Sequence, residues 1–280
     1  MSIVAIQTQT MIMLAKNPNH PLATLDAAIG KCTASNGDHI LVSEGHSETY
    51  STAAALTLDV AGVTIVGLGR GNQRPTFTLD TATTSDIDVT AADVAIKNCI
   101  FSANYADIVE LFDLSAAGFT LIDCVIRDTA ASMNFVDVIK TTTTNNECDR
   151  LTIVRCKYFS PDTGNDAFIE VGGDLDELTI VDSYIRMGVA NSEAVIAVAT
   201  GKDLTNCYVV NNSIYRINTA GDILVDSDTS NNTGIFAFNL IGHGDTASEA
   251  LIDADGVRVF ENLGTAVDTA QGYLVPAIDS

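Results

Sequence analysis

The sequence predicts an all-β solenoid in which one chain coils into a parallel β-helix. Three observations support this fold class. A unit recurs at intervals of about 30 residues, apolar residues alternate at spacing two within each unit, and β-branched residues dominate the apolar positions. No unit has the three- and four-residue apolar spacing of an amphipathic helix. A repeat of this size indicates stacked supersecondary units.

The repeat is clearest where residues 87–101 and residues 112–126 match along their length. Residues at the equivalent position of successive units are Ile65, Ile96, Leu121, Ile153, Ile180 and Val209, at steps of 31, 25, 32, 27 and 29 residues. One unit cannot bury its apolar face alone, so strands of successive coils are expected to pair in parallel around one core. The frame of leucine-rich repeats, the nearest rival, is absent.

Three segments are predicted along the chain. The repeats run from about residue 39 to residue 263 without a linker, which predicts one domain. Residues 1–20 carry no repeat and are expected to form an N-terminal arm. Residues 21–263 would form the capped parallel β-helix, and residues 264–280 a C-terminal cap or docking tail.

One helix is predicted before the first coil. Leu22, Leu25, Ile29 and Cys32 follow Pro21 at steps of three, four and three residues. Proline suits the first helical position, and the spacing is that of an amphipathic helix over about residues 21–33. We expect this helix to cap the first coil and to cover its unpaired strand edges.

Acidic residues dominate the charge: 36 Asp and Glu against 14 Lys and Arg give a formal net charge of −22. Nucleic acids and anionic membranes are bound through Lys and Arg, so neither partner is expected. No apolar stretch reaches the roughly 18 residues of a membrane span. The N-terminus lacks the basic start and continuous apolar block of a signal peptide, which predicts assembly in the cytoplasm.

Three of the six cysteines, Cys99, Cys124 and Cys156, occupy one position of the repeat, and Ser183 and Asn212 continue that column. A stack of small side chains at an inward corner explains this spacing better than disulfide bonds do, because a reducing compartment is expected. Zinc is the weaker alternative, since its ligands must converge on one point rather than spread along an axis.

A family resemblance rests on the run from Gly37 to His46, on residues 61–69 and on the Val-x-Ile-x-Asn-Cys-x-Phe units. These segments resemble the pectin-lyase-like right-handed parallel β-helix superfamily, most closely its compact bacteriophage virion members. The resemblance covers residues 21–263 and implies a single-stranded right-handed parallel β-helix with an N-terminal capping helix. It is specific for the fold rather than for a function, because this fold hosts lyases, hydrolases, tailspikes and inert structural proteins.

The catalytic elements that the resemblance implies are mostly missing. Polygalacturonase-type hydrolases carry Asn-x-Asp, Asp-Asp, Gly-His-Gly and Arg-Ile-Lys on successive coils, and here only Gly242-His243-Gly244 matches. Asn36-Gly37-Asp38 precedes the first coil, and Arg216-Ile217-Asn218 precedes the Gly-His-Gly and lacks the lysine. The sequence has no Asp-Asp pair and no Trp. No catalytic residue is assigned, and the chain is predicted not to be an enzyme.

An acidic residue lies between apolar residues in the first strand of successive units, at Asp59, Asp88, Asp113, Asp137 and Glu170. We call these five the acidic ladder; Ala197 interrupts it and Asp253 could resume it. Strand alternation points them outward, and stacking would place neighbouring carboxylates about 5 Å apart. Three interpretations remain open: a solvated face, a ribbon that binds Ca²⁺ or the basic residues of a partner, and the carboxylate pair of a retaining glycosidase.

Together these observations predict a structural protein of a bacteriophage particle, with the virion as its location. We expect a trimeric capsid decoration or cement protein that contacts the major capsid protein and stabilises the head. A tail fibre or tailspike that binds host glycans is the first alternative, and a polysaccharide-degrading β-helix enzyme is the second. No cofactor is expected, apart from the possible Ca²⁺ on the ladder.

Overall fold

The computed structural model describes residues 12–14, 21–189, 194–217, 222–226, 231–243, 252–253, 256–266, 273–274 and 277–278. The chain forms a right-handed parallel β-solenoid of three long sheets with very little helix, which confirms the predicted fold class. No helix in the described ranges is long and apolar enough to cross a membrane.

Each coil contributes one strand to each sheet in turn, and every strand pairs with its equivalents on the neighbouring coils. The first sheet contains Ile12–Leu14, His39–Val42, Thr64–Gly67, Ala95–Lys97, Thr120–Ile122, Thr152–Val154, Thr179–Val181, Cys207–Val210, Gly234–Ala237 and Val257–Phe260. The second contains Ser47–Tyr50, Thr76–Leu79, Ile100–Ala103, Val125–Asp128, Lys157–Phe159, Tyr184–Met187, Ser213–Arg216, Leu240–His243, Leu263–Ala266 and Tyr273–Leu274. The third contains Leu56–Leu58, Ile87–Val89, Ile108–Leu114, Phe135–Thr141, Ala167–Val171, Ala194–Val198, Asp222–Asp226, Ile252–Asp253 and Ala277–Ile278. Leu175–Asp176 pairs with Leu204–Thr205 in a small extra sheet.

The register of the first sheet agrees with the repeat seen in the sequence. The positions predicted as equivalent are Cα partners on successive coils, from Ile65 through Ile96, Leu121, Ile153 and Ile180 to Val209. All of them are essentially fully buried. Burying these branched side chains in one continuous core stabilises the rod, at roughly 25 cal/mol for each Å² of apolar surface removed from water.

The corner between the first and second sheets repeats one backbone motif. A residue with positive φ comes first and a buried small residue follows it, as in Asp123 (φ 56°) before Cys124 and Arg155 (φ 51°) before Cys156. The left-handed conformation turns the chain sharply, so the next side chain points inward. The described cysteines are all free thiols, and the predicted column of small inward residues is confirmed.

The same column becomes a hydrogen-bonded asparagine stack toward the C-terminus. The backbone N–H of Ser183 donates to Oδ1 of Asn212 (2.9 Å), that of Asn212 to Asn239 (2.9 Å), and that of Asn239 to Asn262 (3.0 Å). Each Asn amide also donates to a main-chain carbonyl of a previous coil. These bonds satisfy polar groups that would otherwise be buried without partners.

The helix before the first coil is shorter than predicted and spans Leu25–Ile29. Thr24 caps it by accepting a hydrogen bond from Ala27 N (3.2 Å), and Leu25, Ala28 and Ile29 are buried. The helix ends at Ile29, and residues 30–38 form turns that connect it to the strand His39–Val42.

Short strands from both predicted terminal segments pair with the sheets. Ile12–Leu14, within the predicted arm, runs antiparallel to His39–Val42 in the first sheet. Tyr273–Leu274, within the predicted tail, runs antiparallel to Leu263–Gly264 in the second sheet. Within the same predicted tail, residues 264–266 continue a strand of the second sheet and Ala277–Ile278 pairs in parallel with Ile252–Asp253 in the third. The other residues of both segments are outside the described part of the chain.

Candidate functional site

The third sheet carries the predicted acidic ladder, and its register corrects two members. Asp88 and Asp113 are Cα partners, as expected. The next partner of Asp113 is Lys140 rather than Asp137, and the residue in line with Asp88 on the preceding coil is Thr57 rather than Asp59.

The rest of the column follows the prediction more closely. Lys140 is the partner of Glu170, and Glu170 is the partner of Ala197, where the series was expected to break. Asp253 aligns with this column through Val225, although its side chain is outside the described set. The ladder is therefore an acidic column that contains one lysine.

Asp137 is only 2% exposed and does not project into solvent as the ladder required. The prediction assumed strict alternation, which fails because Val138 and Ile139 are adjacent and both buried. Asp137 is the partner of Glu110 on one coil and of Ala167 on the other. Its Oδ1 atom accepts a hydrogen bond from Ala167 N at 3.0 Å, so its carboxyl group also joins two coils.

Lys140 lies close to two carboxyl groups of this sheet. Its Nζ atom lies 2.6 Å from Oε2 of Glu170 and 3.6 Å from Oδ2 of Asp137. Burial and the neighbouring carboxyl group of Glu170 raise the pKa of Asp137 to about 8, whereas hydrogen bonds with Asp137 and Lys140 hold the pKa of Glu170 below its usual value. Burial, followed by repulsion from Asp113, raises the pKa of Glu110 to about 7.

A protonated carboxyl group beside an ionised one is the arrangement of a general acid with its partner. Here, however, the protonated member is Asp137, whose side chain is almost wholly covered. The lysine already neutralises its neighbour, and the described residues contain no group of three or more His, Cys, Asp or Glu suited to a metal ion. The geometry therefore supports internal charge compensation for this cluster.

The outer face of the second sheet carries a feature that was not predicted from the sequence. Arg127, Phe159, Arg186 and Tyr215 are Cα partners on four successive coils, and we call them the cation–aromatic column. The guanidinium carbon of Arg186 lies 4.8 Å from the ring centroid of Phe159 and 5.7 Å from that of Tyr215. Each such contact contributes on the order of 0.5–1 kcal/mol at an exposed site.

Gly242 continues this column beyond Tyr215. A Cβ atom on Gly242 would lie 2.1 Å from the Tyr215 ring, so the ring occupies the space that a side chain would need. Gly242 thus has a packing role in the Gly242-His243-Gly244 element that the sequence singled out as a catalytic match. The side chain of His243 and all of Gly244 lie outside the described part of the chain.

Large apolar side chains are exposed beside the column. Tyr184, Leu240 and Leu263 lie on an adjacent line of the second sheet, and Phe238 and Phe260 lie at its corner with the first sheet, with exposures of 37 to 56%. The rings of Phe238 and Phe260 contact each other edge-on at 5.5 Å. We call these five residues the apolar strip; exposed patches of this kind mark interaction surfaces.

The column and the strip could have been found from the repeat alone. Phe159, Arg186 and Tyr215 recur at steps of 27 and 29 residues, in phase with the core positions. The predicted ladder comprised only acids of the first strand in each unit, whereas this column lies at outward positions of the last strand. With three sheets per coil, each outward column must be traced separately.

No family profile, curated protein or solved structure matches the chain. Parallel β-solenoids serve catalytic, glycan-binding and structural roles, so the fold does not select among them. The function must therefore be inferred from the surfaces described above.

Proposed function

We propose that this chain is a structural protein that assembles into a ring of three through the outer face of its second sheet. The observation that carries the proposal is the cation–aromatic column with its neighbouring apolar strip, which exposes aromatic and aliphatic side chains in an otherwise acidic protein. Aromatic residues and arginine are the residue types enriched at protein interfaces.

A second copy of the chain is the proposed occupant, and it contributes its third sheet. Arg127 and Arg186 make the second sheet locally basic, whereas Asp88 and Asp113 make the third sheet locally acidic. Contact between two different faces is a head-to-tail interface, which closes into a ring when the rotation between copies divides a full turn. Complementary charge favours this pairing over contact between two like faces.

We further propose that the protein is part of a bacteriophage particle, on the basis of the resemblance to phage β-helix proteins. A trimeric rod suits a capsid decoration protein, which stabilises a shell by binding only its assembled form. A tail fibre or tailspike that binds glycans is the second candidate, and the exposed aromatic rings of Phe159 and Tyr184 favour it because aromatic side chains also pack against sugar rings.

A catalytic role receives less support from the same surfaces. Asp137, the carboxyl group with the raised pKa of about 8, is covered by its neighbours, so a substrate would have to displace packed side chains to reach it. We expect no polysaccharide cleavage by the unchanged protein, and the same result for Asp113→Asn and Glu170→Gln. Loss of a measurable cleavage activity in either variant would favour the enzyme.

Absolute solution mass by light scattering tests the assembly. The unchanged protein should give a species near three times 29.5 kDa. Tyr184→Ser and Phe159→Ser should shift it toward the monomer. Tyr208→Ser, which alters a comparably exposed tyrosine (45% against 37%) on the first sheet, should not. A monomer at all concentrations, or equal effects of the serine variants, would overturn the ring.

Antibodies raised against the purified protein test the virion setting by electron microscopy of phage particles. Labelling distributed over the shell supports the decoration role, and labelling at the tail alone supports the tail candidate. Absence of label on intact and opened particles would overturn the virion assignment while leaving the mass measurement valid.

A further inference from the structure

A second surface, which adjoins the apolar strip at Lys157, concentrates positive charge in this acidic protein. Arg70, Arg74, Arg155 and Lys157 line a cleft of about 410 Å³ at the corner between the first and second sheets. Four of the chain's 14 basic residues thus share one cleft, although the formal net charge is −22. We call this group of four residues and their surroundings the basic cleft.

The protein itself neutralises only part of this charge. Asp123 lines the cleft and takes both hydrogen bonds from Arg155, at 2.8 Å from Nε and 3.0 Å from Nη2. The hydrogen bond and charge of Arg155 hold the pKa of Asp123 below its usual value. Among the described residues, Arg70, Arg74 and Lys157 form no salt bridge. Among the residues that line the cleft, one carboxylate accompanies four cations, and Asp182 nearby also acts on the charge of Arg155.

The loop that carries two of the arginines is fixed in place. Arg74 donates from Nε to Gly71 O and from Nη1 to Asp123 O, each at 3.0 Å, which orients its guanidinium group. Asn98 Nδ2 donates to Gly67 O at 2.8 Å and to Gly69 O at 3.1 Å, which ties the start of the loop to the next coil. A Cβ atom on Gly67 would lie 2.4 Å from Asn98 O, so this close approach requires glycine.

We propose that the basic cleft binds a tetrahedral oxyanion, the chemistry shared by phosphate and sulfate. Planar guanidinium groups form paired hydrogen bonds with such oxygens, and a lysine ammonium adds a compact point charge. Because Arg74 and Arg155 are already oriented by Gly71 and Asp123, binding would immobilise few additional side chains. The remaining negative charge of the protein repels anions generally, so occupancy depends on this local geometry.

Isothermal titration at low ionic strength tests the site with three probes: inorganic phosphate, inorganic sulfate and glucose 6-phosphate. Saturable binding of one equivalent of the inorganic ions is expected. Tighter binding of the ester would identify a phosphate carried on a larger molecule as the preferred ligand, and equal or weaker binding would identify the free ion. The absence of saturable binding by any probe at millimolar concentrations would overturn the proposal.

Substitutions locate the binding. Arg70→Gln combined with Lys157→Gln removes two exposed cations that form no salt bridge among the described residues, and it should weaken binding more than tenfold without changing the unfolding temperature. Lys31→Gln, which removes an exposed cation far along the chain, should bind as the unchanged protein does. Equal affinities for the two variants would overturn the assignment to this cleft. Arg70→Gln alone, which leaves the second sheet unaltered, should weaken binding without changing the solution mass. This single variant separates the test from that of the ring, because Lys157 is the Cα partner of Tyr184 in the apolar strip.

Discussion

The Nζ atom of Lys140 lies 2.6 Å from Oε2 of Glu170 on the next coil, and this ion pair determines the electrostatics of the third sheet. Glu170 is held in its charged form, while Asp137, 3.6 Å from the same lysine, has its pKa raised to about 8 by burial and by Glu170. The lysine compensates one carboxylate, and the second carboxyl group retains its proton in neutral solution.

Asp137→Asn should therefore change how stability depends on pH. The folded-state pKa of Asp137 exceeds that of the unfolded chain, so the native state holds a proton that unfolding releases. The associated stability is present at low pH and is lost as pH rises toward and past about 8. Asparagine carries no charge and keeps an oxygen for Ala167 N, so it should stabilise the protein at alkaline pH by on the order of 1 kcal/mol.

Urea unfolding at about pH 6 and about pH 9 measures this effect. The quantity to compare at each pH is the difference in the free energy of unfolding between the variant and the unchanged protein. Asp59→Asn is the control, because Asp59 is exposed directly after the strand Leu56–Leu58 of the same sheet. A variant that loses stability equally at both pH values would contradict the proposed proton on Asp137.

Asn239→Ala should be strongly destabilising, because Asn239 lies within the buried asparagine stack. The side chain accepts from Asn212 N and donates to Val209 O, both at 2.9 Å, and its loss leaves both groups buried without these bonds. Each unsatisfied buried group costs about 1–3 kcal/mol. Asn239→Ser should lose less, since Ser183 fills the equivalent position with its hydroxyl group. Asn72→Ala, at an exposed position, should leave the free energy of unfolding unchanged. Equal unfolding midpoints for the three variants would refute the role of the stack.

Gly118→Ala should lower stability more than Gly71→Ala, although both glycines have positive φ (79° and 55°). At Gly118 a Cβ atom would lie 2.3 Å from Oδ1 of Asp93, the atom that Arg150 Nη2 approaches to 3.1 Å. Nothing lies within 4 Å of a Cβ atom at Gly71, so that variant measures backbone strain alone. We expect a difference on the order of 1 kcal/mol or more in denaturant unfolding. Equal losses would show that the contact with Asp93 relaxes freely.

Glu48→Ala should loosen the helix from the first coil. Oε2 of Glu48 accepts a hydrogen bond from Leu25 N at 3.1 Å and lies 3.1 Å from Nε2 of the buried His46. Hydrogen exchange at Leu25, Ala28 and Ile29 should accelerate in the alanine variant and less in Glu48→Gln, which keeps an acceptor oxygen. Protection unchanged in Glu48→Ala would mean that apolar burial alone holds the helix.

Core positions were predictable because they obey one rule on every coil. Ile96, Leu121 and Ile153 are each buried between neighbouring coils. Because a polar residue there would disrupt the core, these positions are apolar on every coil and the repeat is visible in the sequence. The cysteine column was predictable for the same reason, since only a small side chain fits inside that corner.

Outward positions were harder to predict because burial does not constrain them. Asp137 was assigned to the ladder by spacing, yet the adjacent buried residues Val138 and Ile139 shift the alternation within a seven-residue strand. The pairing of Asp113 with Lys140 depends on that shift and on the length of the turn between coils. The basic cleft joins residues as distant as Arg70 and Lys157, which only the coiling of the chain brings together.

The reversed strands at the ends of the rod restrict how copies can join. A parallel sheet could continue from one molecule into the next, but Ile12–Leu14 at one end of the first sheet and Tyr273–Leu274 at the other end of the second run in the opposite direction. A second molecule stacked end to end would meet strands of the wrong polarity in those sheets. The third sheet ends in parallel strands, Leu56–Leu58 and Ala277–Ile278, so the reversed strands hinder end-to-end stacking in two of the three sheets. We therefore expect copies of this protein to join side by side rather than end to end.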